Sequence, residues 1–138
     1  MKYYIARTIS ADFDETVMNV ADALKKEGFG VLREIDVAST LKQKLGVEFR
    51  KYRILGACNP PLAHRALTTE DKIGVMLPCN VIVQEVGPER VEIAAIDPRA
   101  AMERVGNPAL VAIARVEPRR HEIAADWVKR EPASRLWA

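Results

Sequence analysis

Apolar positions along the chain follow two periods. Phe13, Val17, Val20, Ala21 and Leu24 recur at three- and four-residue spacing and make one helical stripe. Asp12 precedes them as a capping residue, with Glu15 three positions on as in a capping box. Lys25 and Lys26 suit the negative end of the helix dipole, and Gly28 can take the left-handed cap. Ahead of this helix, Lys2–Ile9 is rich in Tyr and Ile and reads as a first strand. After it, Val31–Val37 reads as a second strand. Plain alternation puts Val31, Ile35 and Val37 on one face and Leu32, Glu34 and Asp36 on the other.

A short helix over Ser39–Leu45 should stop at Gly46, and Phe49–Cys58 should form the third strand. There the two-residue period places Tyr52, Ile54, Gly56 and Cys58 on one face. Asn59-Pro60-Pro61 closes the strand and opens a helix, with Asn59 as cap and the prolines in its first turn. Leu62, Ala63, Ala66 and Leu67 would lay that helix over the junction. From Ile73 to Val83 the odd positions are apolar, but Pro78 interrupts, and proline is rare inside a central strand. Either a bulge sits there or pairing begins near Cys79. Gly87-Pro88-Glu89 turns Val81–Val86 into Val91–Ile96 as a hairpin. Asp97-Pro98 and Gly106-Asn107-Pro108 each start a helix, the second running through Leu110, Ile113 and Ala114. Pro118 should kink or split it, with Ile123, Trp127 and Val128 continuing the stripe.

Clustered strands with irregularly placed helices argue α+β: an antiparallel sheet of about five strands with helices on one face. No linker or repeat divides the 138 residues, so residues 1–130 should form one domain and 131–138 a tail carrying Trp137. Charge adds little: Lys+Arg 21 against Asp+Glu 19 leaves +2, which disfavours a nucleic-acid-binding field. No apolar run approaches the ~18–20 residues that span a bilayer, and the first residues lack the apolar centre of a secretory signal. Two cysteines are too few for a disulfide framework. A cytoplasmic protein with reduced thiols and no membrane contact is the expectation.

Two blocks, Ile54-Leu55-Gly56-Ala57-Cys58-Asn59-Pro60 and Leu77-Pro78-Cys79-Asn80-Val81, together with the Asp97-Pro98 and Gly106-Asn107-Pro108 breaks, resemble the Domain of Unknown Function 302 family of bacteria and archaea. The resemblance covers nearly the whole chain and is weakest after Pro118. It implies a two-layer fold of the TATA-binding-protein-like type, β-α-β(4)-α in outline, and a homodimer. It implies no activity, and the likeness to the TATA-binding protein is one of fold alone.

The chemically suggestive residues are Cys58 and Cys79, each beside a break carrying proline and asparagine. Were the fourth strand to begin at Pro78, antiparallel pairing would draw the thiols together; were it to begin at Ile73, they would lie about 20 Å apart. His64, on the intervening helix, could reach the same corner. Close thiols could form a redox disulfide, bind a soft metal with His64, or supply a nucleophile activated by a helix N-terminus. Against these stands the ordinary role of cysteine as a small buried hydrophobe. Cys79 shares the periodicity of Leu77 and Val81, as a core residue does, and no CxxC or HExxH supports a metal. His121, among Arg119, Arg120 and Glu122, reads as solvated; Arg50-Lys51-Tyr52-Arg53 alternates in and out along a strand.

The sequence therefore supports a small binding or accessory domain of uncharacterised function. Its candidate ligand site is Cys58, Asn59, His64, Cys79 and Asn80, for a small or sulfur-reactive molecule, with no metal and no cofactor indicated. The competing expectation is a thiol-dependent or redox enzyme using Cys58 or Cys79, with His64 as base.

Overall fold

A computed structural model describes residues 3–113. Expectations for His121, for the Pro118 kink, for the stripe through Trp127 and for the tail with Trp137 lie outside those residues.

The first helix, α1 (Phe13–Lys26), starts where its capping residue dictates: Asp12 Oδ2 accepts from the Glu15 amide at 3.0 Å. It ends in a Schellman arrangement. Gly28, at φ 86°, donates to the Lys25 carbonyl at 3.1 Å, and Phe29 donates back to Leu24 at 2.9 Å. That reversal drops Phe29, fully buried, into the same core as Leu24. Phe13, Val17, Val20 and Leu24 form the buried stripe of α1.

Five strands receive it: β1 (Tyr4–Ser10), β2 (Gly30–Asp36), β3 (Tyr52–Cys58), β4 (Cys79–Gly87) and β5 (Arg90–Ile96). Their order is β1-β5-β4-β3-β2, antiparallel throughout. Alternation sends Ile9, Leu55, Ala57, Val81, Val83, Val91 and Ile93 toward α1, where all are buried. Each of the Ile, Leu and Val side chains among these stabilises the fold by roughly 1.5–3 kcal/mol relative to exposure. The β-α-β(4)-α outline holds, with two further helices placed between consecutive strands. These are α2 (Val37–Leu45), capped by Asp36 and stopped at Gly46 with φ 67°, and α3 (Pro60–Thr69), capped by Asn59.

One local expectation changes, and one choice left open is decided. Pairing skips Leu32: Val31 lies opposite Ala57, but Arg33 lies opposite Gly56. This β-bulge adds one residue and reverses the faces beyond it. Val31 packs on the α1 core, whereas Ile35 sits opposite Ile54 on the far face. Glu34 and Asp36 thereby come onto the α1 side, where the Arg53 guanidinium bonds Glu34 at 2.6 Å and approaches Asp36 to 3.4 Å. The choice left open at Pro78 falls to pairing that begins near Cys79. Asp71–Met76 is a 3₁₀ helix, not a strand, with Ile73 buried and Val75 86% exposed. Amides of Ile73 and Leu77 bond carbonyls three residues back, and β4 begins at Cys79 after a cis Leu77–Pro78 peptide.

Beyond β5, α4 (Pro98–Glu103) is capped by Asp97, whose Oδ1 accepts from the Arg99 amide. Gly106, at φ 77°, and Asn107, whose side chain accepts from Ala109, then start the helical residues 108–113. Leu62, Ala66, Ile73, Met102, Leu110 and Ile113 form a second apolar cluster.

Candidate functional site

The two sequence blocks that stood out meet as paired strands. Gly56 lies opposite Asn80 and Ala57 opposite Cys79. The contact is close because residue 56 is glycine: a Cβ there would stand 2.7 Å from Pro78 Cγ and 3.4 Å from Arg33 Cβ. The glycine of one block and the proline of the other are thus the two halves of one packing contact.

That register also decides the thiols. Cys58 ends β3 and Cys79 begins β4, as the pairing near Cys79 required, yet the two cysteines are not close. Cys79 faces Ala57, not Cys58, and one step along a strand turns the next side chain to the opposite face. Side chains that diverge in this way cannot be bridged without moving the backbone. Cys79 is buried, Cys58 half-buried, and neither forms a disulfide.

The other members of the set scatter as well. Asn59 is 2% exposed, and its Oδ1 accepts from the Leu62 amide at 3.3 Å, so it caps α3. His64 is exposed on α3, two residues from each of the inward-facing Leu62 and Ala66. Asn80 is exposed, on the sheet face opposite Cys79. Among the described residues, no group of three or more His, Cys, Asp or Glu side chains could hold a metal ion. Around the cysteines, Leu62, Ala66, Leu77, Met102, Leu110 and Ile113 fill the corner and leave about 10 Å³. That is barely the room of a single water.

The space lies on the face of the sheet away from α1. A concavity of about 450 Å³ is lined by Tyr3 and by strand residues of β1, β3, β4 and β5. Its floor is Ile82, Ala94 and Ile96; Tyr4 and Tyr52 stand at opposite ends, and Asn80, Gln84 and Glu92 supply the polar groups. Tyr3 and Tyr4 pack edge to face with centroids 5.0 Å apart. Along the lower border, Arg50 Nε donates to Gln84 Oε1 at 2.7 Å, and Gln84 Nε2 donates to Glu92 Oε1 at 2.8 Å. Of the five residues singled out in the sequence, only Asn80 lines this concavity. The outward apolar positions Ile54, Ile82, Ala94 and Ile96 were the missed signal, because strands apolar on both faces already stand out in the alternation of the sequence.

An α+β domain of this kind, a five-stranded antiparallel sheet whose far face carries no helix among the described residues and is called the open face below, is a recognised architecture. The chain belongs to the family described as domain of unknown function DUF302, whose sequence profile matches residues 5–125. It is similar to the crystal structure of an uncharacterised conserved DUF302 protein from Bacillus stearothermophilus. That chain is 30% identical, with a TM-score of 0.83 over 91% of this chain and 98% of the other. No curated protein matches. Within the described residues no helix is long and apolar enough to cross a membrane.

Proposed function

We propose that the chain is a small accessory domain that acts by non-covalent binding through the open face of its sheet, with Cys58 and Cys79 as packing residues. The observation that supports this reading is the distribution of space: about 10 Å³ at the cysteine corner against about 450 Å³ on the open face. Binding surfaces are concave and mostly apolar with a few placed polar groups, which describes the open face. A reactive thiolate requires an exposed, electropositive setting, and Cys79 is buried beside aliphatic side chains. Of the two occupants expected from the sequence, a second copy and a small molecule, the copy suits the breadth of this face, whose apolar positions Ala94, Ile82 and Ile54 run across three adjacent strands.

The test combines thiol alkylation with solvent relaxation on the native, reduced protein. Methyl groups of Ile54 and Ile82, half-buried within the chain itself, should be shielded further from a soluble paramagnetic chelate, while those of the exposed Leu32 are not. Cys79 should react with an alkylating reagent only on unfolding. Rapid modification of either thiol in the folded state, with an apparent pKa well below ~8.5, would overturn the reading in favour of thiol chemistry.

A further inference from the structure

Helix α2 has clear ends but no core of its own. Asp36 caps its start and Gly46 ends it, yet none of its nine residues is buried. A helix this short is marginal by itself, and packing of an apolar stripe ordinarily stabilises it. Here the stripe is half covered at Leu41 and open one turn on, at Leu45, which is 69% exposed. Beyond Gly46 the exposed Val47 and Phe49 continue the apolar strip toward β3.

Cations border the strip on both sides. At about 100° per residue, Lys42 and Lys44 fall on opposite flanks of the line from Leu41 to Leu45, and both are exposed. The Arg50 guanidinium lies 4.3 Å above the centre of the Phe49 ring, and Lys51 follows it. A place in the last turn suits the helix dipole. That accounts for the two lysines but not for the exposed apolar strip between them. The Lys42 pair with Glu48, at 3.2 Å, is open to solvent and leaves the lysine available.

Charge in the chain is segregated. Residues 37–51 carry Lys42, Lys44, Arg50 and Lys51 against Glu48 alone, a balance of +3. Residues 114–138 hold six Lys or Arg against four Asp or Glu, a balance of +2, so the rest of the chain carries −3 within the total of +2. Whole-chain arithmetic hides the concentration on one arm. The C-terminal residues, cationic themselves, are not the electrostatic complement of that arm, and neither is a second copy of it.

We propose that the arm formed by residues 37–51 lies against an anionic lipid surface. Leu45, Val47 and Phe49 enter the headgroup boundary, and the lysines and Arg50 meet lipid phosphate. This surface goes beyond the open face, whose concavity Lys42, Lys44 and Leu45 do not line. An apolar strip with cations along both flanks matches a laterally uniform anionic plane. A protein groove would call for anchors repeated at i, i+4 and i+7, and α2 ends at Leu45. Apolar insertion and a basic patch are two signals that together give stable association where either alone is marginal. The absence of a spanning stretch, on which the expectation of no membrane contact rests, has no bearing on a segment that lies in the interface.

Flotation of the full chain with vesicles of phosphatidylcholine, alone or with phosphatidylglycerol as the minority lipid, tests this. The chain should float with the anionic vesicles and not with the neutral ones, and molar salt should release it. A lysine near an anionic surface contributes about fivefold in partitioning, so Lys42→Gln with Lys44→Gln should lose about 25-fold. Leu45→Ser should lose about tenfold. All three positions are exposed, so an unchanged urea midpoint shows that the variants fold. No flotation with anionic vesicles, or equal flotation with both, overturns the proposal. Anionic flotation indifferent to the three substitutions puts the lipid contact elsewhere, residues 114–138 included, and overturns α2 as the surface. A chain that floats with neither vesicle while its Leu45 methyls are shielded from the paramagnetic chelate overturns lipid in favour of a protein on the same arm. Shielding of Ile54 and Ile82 should be the same in every α2 variant, so the reading of the open face stands or falls separately.

Discussion

Three glycines separate steric from conformational causes in one experiment. Gly30 has ordinary φ and nothing within 4 Å of the place a Cβ would occupy; Gly46 has equal space but φ +67°; Gly56 has ordinary φ and Pro78 Cγ at 2.7 Å. Replacing each by alanine narrows the unfolded ensemble, a gain of about 0.4–1 kcal/mol where the native site accepts the methyl. Gly30→Ala should show only that gain. At Gly46 the left-handed backbone costs an alanine about 1–2 kcal/mol, leaving a net loss of about 0.5–1 kcal/mol. At Gly56 a carbon contact must open from 2.7 Å toward the ~3.5–4.0 Å optimum, so something must move by about 1 Å. The Pro78 ring is tied to the backbone at both ends and cannot swing aside as a free side chain would. Overpacking of this kind costs about 1–3 kcal/mol, for a net loss of about 1–2 kcal/mol. Urea titration at constant m gives the free energies, and thermal melts should drop by roughly 4–10 °C for Gly56→Ala. The expected order of stability is Gly30→Ala, wild type, Gly46→Ala, Gly56→Ala. Gly56→Ala as stable as Gly30→Ala would refute the close contact between the two blocks.

Asn59→Ala removes the side-chain cap of α3 at a buried position and should destabilise by about 1–2 kcal/mol, with Asn59→Asp or Ser recovering part of it in chemical denaturation. Leu55→Ala, at a fully buried site under α1, should lose about 2–5 kcal/mol, whereas Leu32→Ala, 70% exposed in the bulge, should change urea stability by less than about 0.5 kcal/mol. Arg53→Met keeps the aliphatic stem and removes the bonds to Glu34 and Asp36. Those partners are nearly half-exposed, so the loss should be only about 1 kcal/mol, shrinking further in molar salt.

Much of the fold was legible because capping chemistry is local. Asp12, Asp36, Asn59, Asp97 and Asn107 each accept from an amide two or three residues on. Such a signal needs no knowledge of the rest of the chain. Only the role of Asp36 was missed, because strand β2 runs into α2 without an intervening loop and alternation assigned it to the strand. What failed was non-local. The Leu32 bulge depends on how β2 meets β3, and one extra residue reversed the faces of Ile35, Glu34 and Asp36. The cysteines failed for the same reason. Their strand ends were placed correctly, but a single register step separates thiols that meet from thiols that diverge, and sequence does not resolve one step. Asn59 was read both as the cap of α3 and as a candidate ligand, and its side chain makes the cap; Asn80 lies across from the glycine that admits Pro78.

The bulge at Leu32 bears on how far assembly of this protein can go. An edge strand that is straight and regular offers its unpaired amides and carbonyls to any incoming strand, and addition of that kind has no natural end. β2 is an edge of this sheet, and its bulge breaks the flat hydrogen-bonding ladder that fibril growth would extend. Strand addition at this edge is thereby denied a template. The same inserted residue that hid two faces from sequence reading therefore guards the protein against amyloid-like polymerisation.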